Sequence, residues 1–240
     1  MTAAPVRPAW TVLGIPVTVG PAPERIPAAV HSGPLCRAWA DGYRFHLPTV
    51  GLFSVERHDG AVALTGDAAT GKSAVAGALG VRGHAVLADG ALPIAHTTTG
   101  PVAEPADDGV QLWPDIARRL GLGGGAVIRP RLAKRRHRFA AAPAAPLGAV
   151  VVLRHGGGAR DPVARPMNGP AAVRALAHLT AGRPLVPAFG ATAAHFAWCT
   201  RLAAAVPVLE LRRDPLRDDL TALADAVAST VPGMSTVEGR

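Results

Sequence analysis

The residues best placed to do chemistry are Gly66-Asp67-Ala68-Ala69-Thr70-Gly71-Lys72-Ser73. They match G-x-x-x-x-G-K-[ST], the Walker A pattern of a phosphate-binding loop. The glycines let the backbone turn its N–H groups toward an anion, and the positive end of the following helix adds to the attraction. In that pattern Lys72 reaches the β- and γ-phosphates and the Ser73 hydroxyl ligates Mg²⁺. Lysine is rare here: of 25 basic residues only Lys72 and Lys134 are lysine, and arginine supplies the rest. At this composition roughly 0.002 matches to the motif are expected by chance. The loop, from Gly66 through Ser73 to Ala74, is therefore expected to bind a nucleotide.

Phosphoryl transfer also needs a group that receives or orients the acceptor's proton. Asp89 is the strongest candidate. It closes an apolar run, Ala85-Val86-Leu87-Ala88, that directly follows the helix after the loop, so its carboxylate should emerge at the same sheet edge as the phosphates. The plainer alternative is a turn residue in the hairpin dipeptide Asp89-Gly90. Glu104, Asp107 and Asp108 could reach a metal from a flanking loop but read more simply as solvated charges. Asp115 reads as a first-turn helix acid. His84 reads as a turn residue, and His46, His58 and His96 are scattered, with no pair at metal-ligand spacing.

Elements in the right order surround the loop. Ala61-Val62-Ala63-Leu64-Thr65 is long enough for a buried strand, and residues 73–79 suit a helix stopped by Gly80. Strand, glycine loop and helix is the order the motif requires. Residues 1–60 read as a β-rich segment packed on the core, with strands within 10–19, 42–47 and 51–57 and an irregular connection carrying Pro21, Pro23, Pro27 and Pro34. Residues 61–231 form the nucleotide-binding domain. Within it 93–112 looks like loop and turn with one short strand, and a helix opens at Trp113-Pro114-Asp115. Strands are expected at 125–129, 147–154 and 206–212, and helices at 170–180, 191–205 and 216–229. Residues 232–240 read as a flexible tail.

Composition sets the outer limits. The chain has 240 residues with 49% hydrophobic and 4% aromatic content, enough for one core built of Ala, Val and Leu. No apolar stretch has the length of a membrane span and the start lacks a signal-peptide core, so a cytoplasmic location without a membrane partner is expected. Cys36 and Cys199 form neither a metal pattern nor a disulfide framework. The net charge of +8 is densest over residues 129–138. That run reads as a solvated strand or loop, as a face toward phosphate or an acidic peptide, or as a nucleic-acid contact. The last is disfavoured because only Phe139 adjoins the arginines.

The run of residues 66–90, GDAATGKSAVAGALGVRGHAVLADG, resembles the HPr kinase/phosphorylase family. Weaker echoes are Leu112-Trp113-Pro114-Asp115, the run 145–153, and the stretch from His195 through Arg201 to Val206-Pro207-Val208-Leu209-Glu210-Leu211. The resemblance implies an α/β fold with a P-loop core of the HPr kinase and phosphoenolpyruvate carboxykinase type. It also implies Mg²⁺ and ATP as cofactors, and transfer to a serine hydroxyl of a peptide or protein. By position Asp89 matches the first Asp of the family's pair, which implies a general base that also serves the metal with Ser73.

The chain departs from that pattern in three places. Gly90 stands where the second Asp would be, Ala74 stands where an acid often follows the loop Ser, and Leu52 and Phe53 occupy the neighbourhood of a customary histidine. Short HPr kinase-like proteins of this size are associated with tailoring of ribosomally made peptides, including lasso-peptide precursors. A small-molecule P-loop kinase and a nucleotide-binding regulatory module without kinase activity remain the alternatives, and a homo-oligomer is left open.

Overall fold

The computed structural model describes residues 60–106, 109–128, 130–156, 162–181, 183, 185–188, 191–214 and 219–231, with the backbone of four short strands before residue 60. Those strands are β1 (Trp10–Val12), β2 (Ile15–Val17), β3 (Phe45–Leu47) and β4 (Val50–Ser54). Next come β5 (Ala61–Thr65), α1 (Lys72–Val81), β6 (His84–Ala88), β7 (Leu92–Thr97), β8 (Gly100–Ala103) and β9 (Gly109–Leu112). They are followed by α2 (Pro114–Arg119), β10 (Ala126–Val127), β11 (Arg135–Arg138), β12 (Ala145–His155) and β13 (Arg165–Pro166). The chain continues through α3 (Gly169–Leu179), α4 (Leu185–Ala188), α5 (Thr192–Ala205), β14 (Val208–Arg213) and α6 (Leu220–Ala228). The fold is mixed α/β.

The central sheet runs β14-β12-β5-β4-β6. Strand β12 is parallel to β5 and β14, with Val150 opposite Ala63 on one side and Val208 on the other. Strand β4 lies antiparallel between β5 and β6, so β6 again points the same way as β5. The last strand of the 1–60 segment is thus an inner strand of the sheet that carries the loop. Parallel strands covered on both faces need apolar side chains on both sides. This accounts for the unbroken runs at 61–64 and 149–153, every residue of which has 0% exposure.

Side-chain alternation divides the core between the two faces. Val150 and Val152 join Leu176, Leu179, Trp198 and Leu202 of α3 and α5. Val151 and Leu153 join Val75 and Leu79 of α1 and Leu223 and Val227 of α6. Burying each such Leu or Val contributes about 1.5–3 kcal/mol, so α1 is held by its inner face rather than by its own glycine-containing backbone.

Two smaller sheets flank the central one. Strands β3, β7 and β8 pair antiparallel and join the start of β12 through Ala103 opposite Ala145. Strands β10, β11 and β9 form the other, with Arg135 opposite Leu112 and Arg138 opposite Gly109. Residues 93–112, expected to be mainly loop, therefore hold three strands. Pro93 and Pro101 obscured the strands, of which β7 buries Leu92, Pro93 and Ile94 in succession, and Thr97 Oγ1 donates to Gly100 O at 2.7 Å to close the β7–β8 turn. The basic run 129–138 ends in a strand whose His137 is buried. His84 belongs to β6 and is 2% exposed, not a turn residue. The expectations for Asp107, Asp108, His58, Arg129, the connection from Pro21 to Pro34 and the 232–240 tail lie outside the described residues. Among the described residues no helix is long and apolar enough to cross a membrane.

Candidate functional site

The 66–71 loop leaves the C-terminal end of β5 and enters α1 through Gly71, whose φ is 90°. The left-handed backbone at Gly71 favours glycine, and a side chain there would displace the Arg213 guanidinium. A Cβ on Gly71 would stand 1.6 Å from Arg213 Nη1, and one on Gly66 2.4 Å from Leu153 O. Ala69 also holds a positive φ of 63°, uncommon for a residue with a side chain.

The first turn of α1 has neither a side-chain cap nor an acidic residue. By contrast, Asn168 accepts from Ala171 N at 2.9 Å to cap α3, and Asp219 accepts from Thr221 N at 2.8 Å to cap α6. The first N–H groups of a helix have no carbonyl one turn earlier, so the start of α1 keeps its partial positive charge facing outward.

The Lys72 ammonium lies over the loop. It donates to Gly66 O at 2.9 Å and Asp67 O at 2.7 Å, with Thr70 Oγ1 at 3.4 Å. Burial holds its pKa below the ordinary lysine value; Asp67 and Asp89 pull it back up, and Lys134 adds a smaller push downward. Thr70 Oγ1 in turn donates to Asp67 O at 2.9 Å. From the end of β14, the buried Arg213 guanidinium donates to Thr70 O at 3.1 Å and fixes the loop from outside.

Asp89 meets this loop. Its Oδ1 accepts from Ser73 Oγ at 3.2 Å, and its Oδ2 accepts from the backbone N–H of Gln111 in β9 at 2.7 Å. The turn after it uses Gly90 at φ 101°, so the Asp-Gly turn and the carboxylate aimed at Ser73 coexist. Of the other acids, Asp67 points away from Ser73, with Oδ1 3.5 Å from His178 Nε2, and both side chains are largely exposed. Glu104 is tied through its backbone N–H to Pro93 O at 2.9 Å and is not among the residues lining the cleft beside the loop. Ala74 is 6% exposed, so an acid in its place would be buried in the helix.

That cleft has a volume of about 430 Å³, a size typical of small-ligand sites. One wall is Ala68, Ala69 and residues 71–74; the other is built from Gln111, Trp113, Asp115, Ile116 and Lys134, with Arg213 also on the lining. Asp115 is both the first-turn acid of α2 and a cleft residue. Lys134 lies 5.3 Å from the Trp113 ring centroid, in cation–π range. Sequence reasoning did not single out Arg213, and it reached Lys134 only within the basic run 129–138 as a possible face toward phosphate. Each had a signal: Arg213 ends an apolar parallel strand on the loop's edge of the sheet, and Lys134 is the other lysine of an arginine-rich chain. Among the described residues no group of three or more His, Cys, Asp or Glu side chains gathers at metal-binding distance.

No family model matches the chain, and no curated protein matches it in sequence. Among solved structures, the HPr(Ser) kinase/phosphatase from Coxiella burnetii aligns at a TM-score of 0.40 and 13% identity, over 77% of this chain and 88% of that one. That likeness does not place the chain in a sequence family.

Proposed function

We propose that the chain is a Mg-ATP-dependent kinase that transfers the γ-phosphoryl group to a serine hydroxyl of a peptide or protein, with a ribosomally made precursor peptide of the lasso type as the leading acceptor. The observation that carries the nucleotide part is the contact between Ser73 Oγ and Asp89 Oδ1, 16 residues apart in sequence. A loop hydroxyl and a strand-end carboxylate brought together beside an uncapped helix start are the protein's share of a cation and triphosphate site. The acceptor part rests on the resemblance of residues 66–90.

In this reading the loop N–H groups and Lys72 hold the β- and γ-phosphates, while Ser73 and Asp89 hold the cation. The two oxygen donors suit a magnesium ion, which prefers oxygen and takes its remaining ligands from phosphate and water. Bound there, it would neutralise charge developing on the transferred group. Gln111 N–H and Ser73 Oγ orient the Asp89 carboxylate, which favours a metal-holding role. The general-base role implied by the resemblance would draw on that same carboxylate. A cytoplasmic location suits a consumer of ATP. Gly90, in place of a second acid, favours one alternative, a nucleotide-binding regulatory module without transfer activity.

The test is transfer from γ-labelled ATP, with Mg²⁺, to the product of any small peptide gene beside the chain's own. Label on a peptide serine, lost in Asp89→Ala while ATP binding persists, is the expected result. Transfer to a small alcohol but to no peptide would replace the acceptor class. Binding without any transfer would leave the regulatory module.

A further inference from the structure

Both lysines of the chain line one cleft. Lys72 comes from the loop, and Lys134 comes from the residue before β11, on the far wall. The Lys134 ammonium is half-buried over Trp113, the N-cap residue of α2, and no carboxylate among the described residues pairs with it. Trp113 is 48% exposed, so its ring is surface of the cleft and part of neither core.

A ring face attracts an ammonium without cancelling its charge, as a carboxylate would. Lys134 therefore keeps its positive charge at the wall of the cleft that Lys72 also lines. Like charges sharing one cavity are costly until an anion enters between them. A single ammonium on a flexible stem also suits phosphate oxygens, where the neighbouring arginines would bring a rigid fork.

We propose that Lys134 is a second phosphate-binding residue of the site, gripping the triphosphate chain from the β11 wall while Lys72 grips it from the loop, with Trp113 as the positioning residue that holds Lys134 ready. This rests on the nucleotide reading above and adds to it a residue outside the loop motif.

The test is calorimetric titration of the full chain with Mg-ATP and with Mg-tripolyphosphate, which has the phosphates and no nucleoside. Lys134→Met should weaken both ligands by a similar factor, on the order of tenfold. Lys134→Arg should recover most of the loss, and Lys134→Gln should repeat it if the methionine variant is unstable. Trp113→Leu should weaken both ligands by a smaller factor, and Trp113→Phe, which keeps a ring under the ammonium, should recover most of that loss. Unchanged Kd values in Lys134→Met and Lys134→Gln overturn the proposal, as does a loss for ATP with tripolyphosphate unaffected. Wild-type protein that binds neither ligand overturns the nucleotide reading and this proposal together, an outcome distinct from either of those.

Discussion

The two walls of the cleft are built over different distances along the chain. On the loop wall, Lys72 bonds carbonyls five and six residues away, and Thr70 bonds one three residues away. The supports around them are distant: Gln111 of the other wall donates its backbone N–H to Asp89, 22 residues away, and Arg213 pins the loop from 143 residues away. The loop wall is thus a local motif completed by distant supports. The β9, α2 and β11 wall exists only because strands pair and helices pack. Loop substitutions should therefore act on binding through backbone geometry, and substitutions on the other wall through single side chains.

The largest effect should come from Gly71→Ala. The new Cβ would push the Arg213 guanidinium off Thr70 O, on a backbone already at φ +90°. The expected cost is about 2–3 kcal/mol, with a fall of roughly 5–10 °C in unfolding midpoint and loss of triphosphate binding. Gly83→Ala is the control, because Gly83 has φ +91° and nothing within 4 Å. It should cost about 1 kcal/mol and leave binding intact. Equal effects of the two in thermal unfolding and titration would show that the Arg213 contact does not matter.

Next in size, Lys72→Met should weaken Mg-ATP about a hundredfold with the fold intact. It should also change the response to pH. The folded-state pKa of Lys72 is lowered, chiefly by burial. Between that pKa and the unfolded value near 10.5 the unfolded chain binds more protons, so stability rises with pH across the window. Wild type should gain stability relative to Lys72→Met as pH rises toward 10.5; parallel curves from denaturant titrations would contradict this.

Asp89→Asn should be smaller in stability and selective in function. It keeps the shape but weakens the hold on Gln111 N–H, at about 1 kcal/mol. Phosphoryl transfer should be lost, and ATP affinity should no longer respond to Mg²⁺. An undiminished Mg²⁺ response would remove Asp89 from the metal site.

The smallest effect concerns three partly or fully buried histidines. His84, His96 and His195 all have lowered pKa values, with burial the leading cause. Their neutral forms support the fold fully above about pH 6.5, and that support is lost as pH falls through the lowered folded values. His195→Gln should flatten part of the decline in unfolding midpoint between pH 7 and pH 5. An unchanged slope would exclude His195, whose Nε2 lies 2.8 Å from Thr180 Oγ1, as a contributor.

The difference between the walls also explains what the sequence alone could convey. Residues 66–73 and their flanking strand and helix were readable because glycine, lysine and serine spacing encodes a local backbone shape. Asp89 was readable because it ends the next apolar strand. Lys134 was readable only as one member of the basic run 129–138, because its place opposite Lys72 depends on β11 pairing with β9 through residues first read as loop. Arg213 was not, because an arginine ending one strand looks like any other until β14 is aligned beside β12. The Asp67 contact with His178 likewise joins a loop to a helix more than a hundred residues away and has no local signature.

One measurement bears most directly on the central claim: calorimetric titration of ATP into wild-type protein, with Mg²⁺ and with EDTA, repeated on Lys72→Met. The account predicts saturable binding that Mg²⁺ strengthens and that the variant weakens about a hundredfold. Absence of binding to the wild type, or binding that Lys72→Met leaves unchanged, would contradict it.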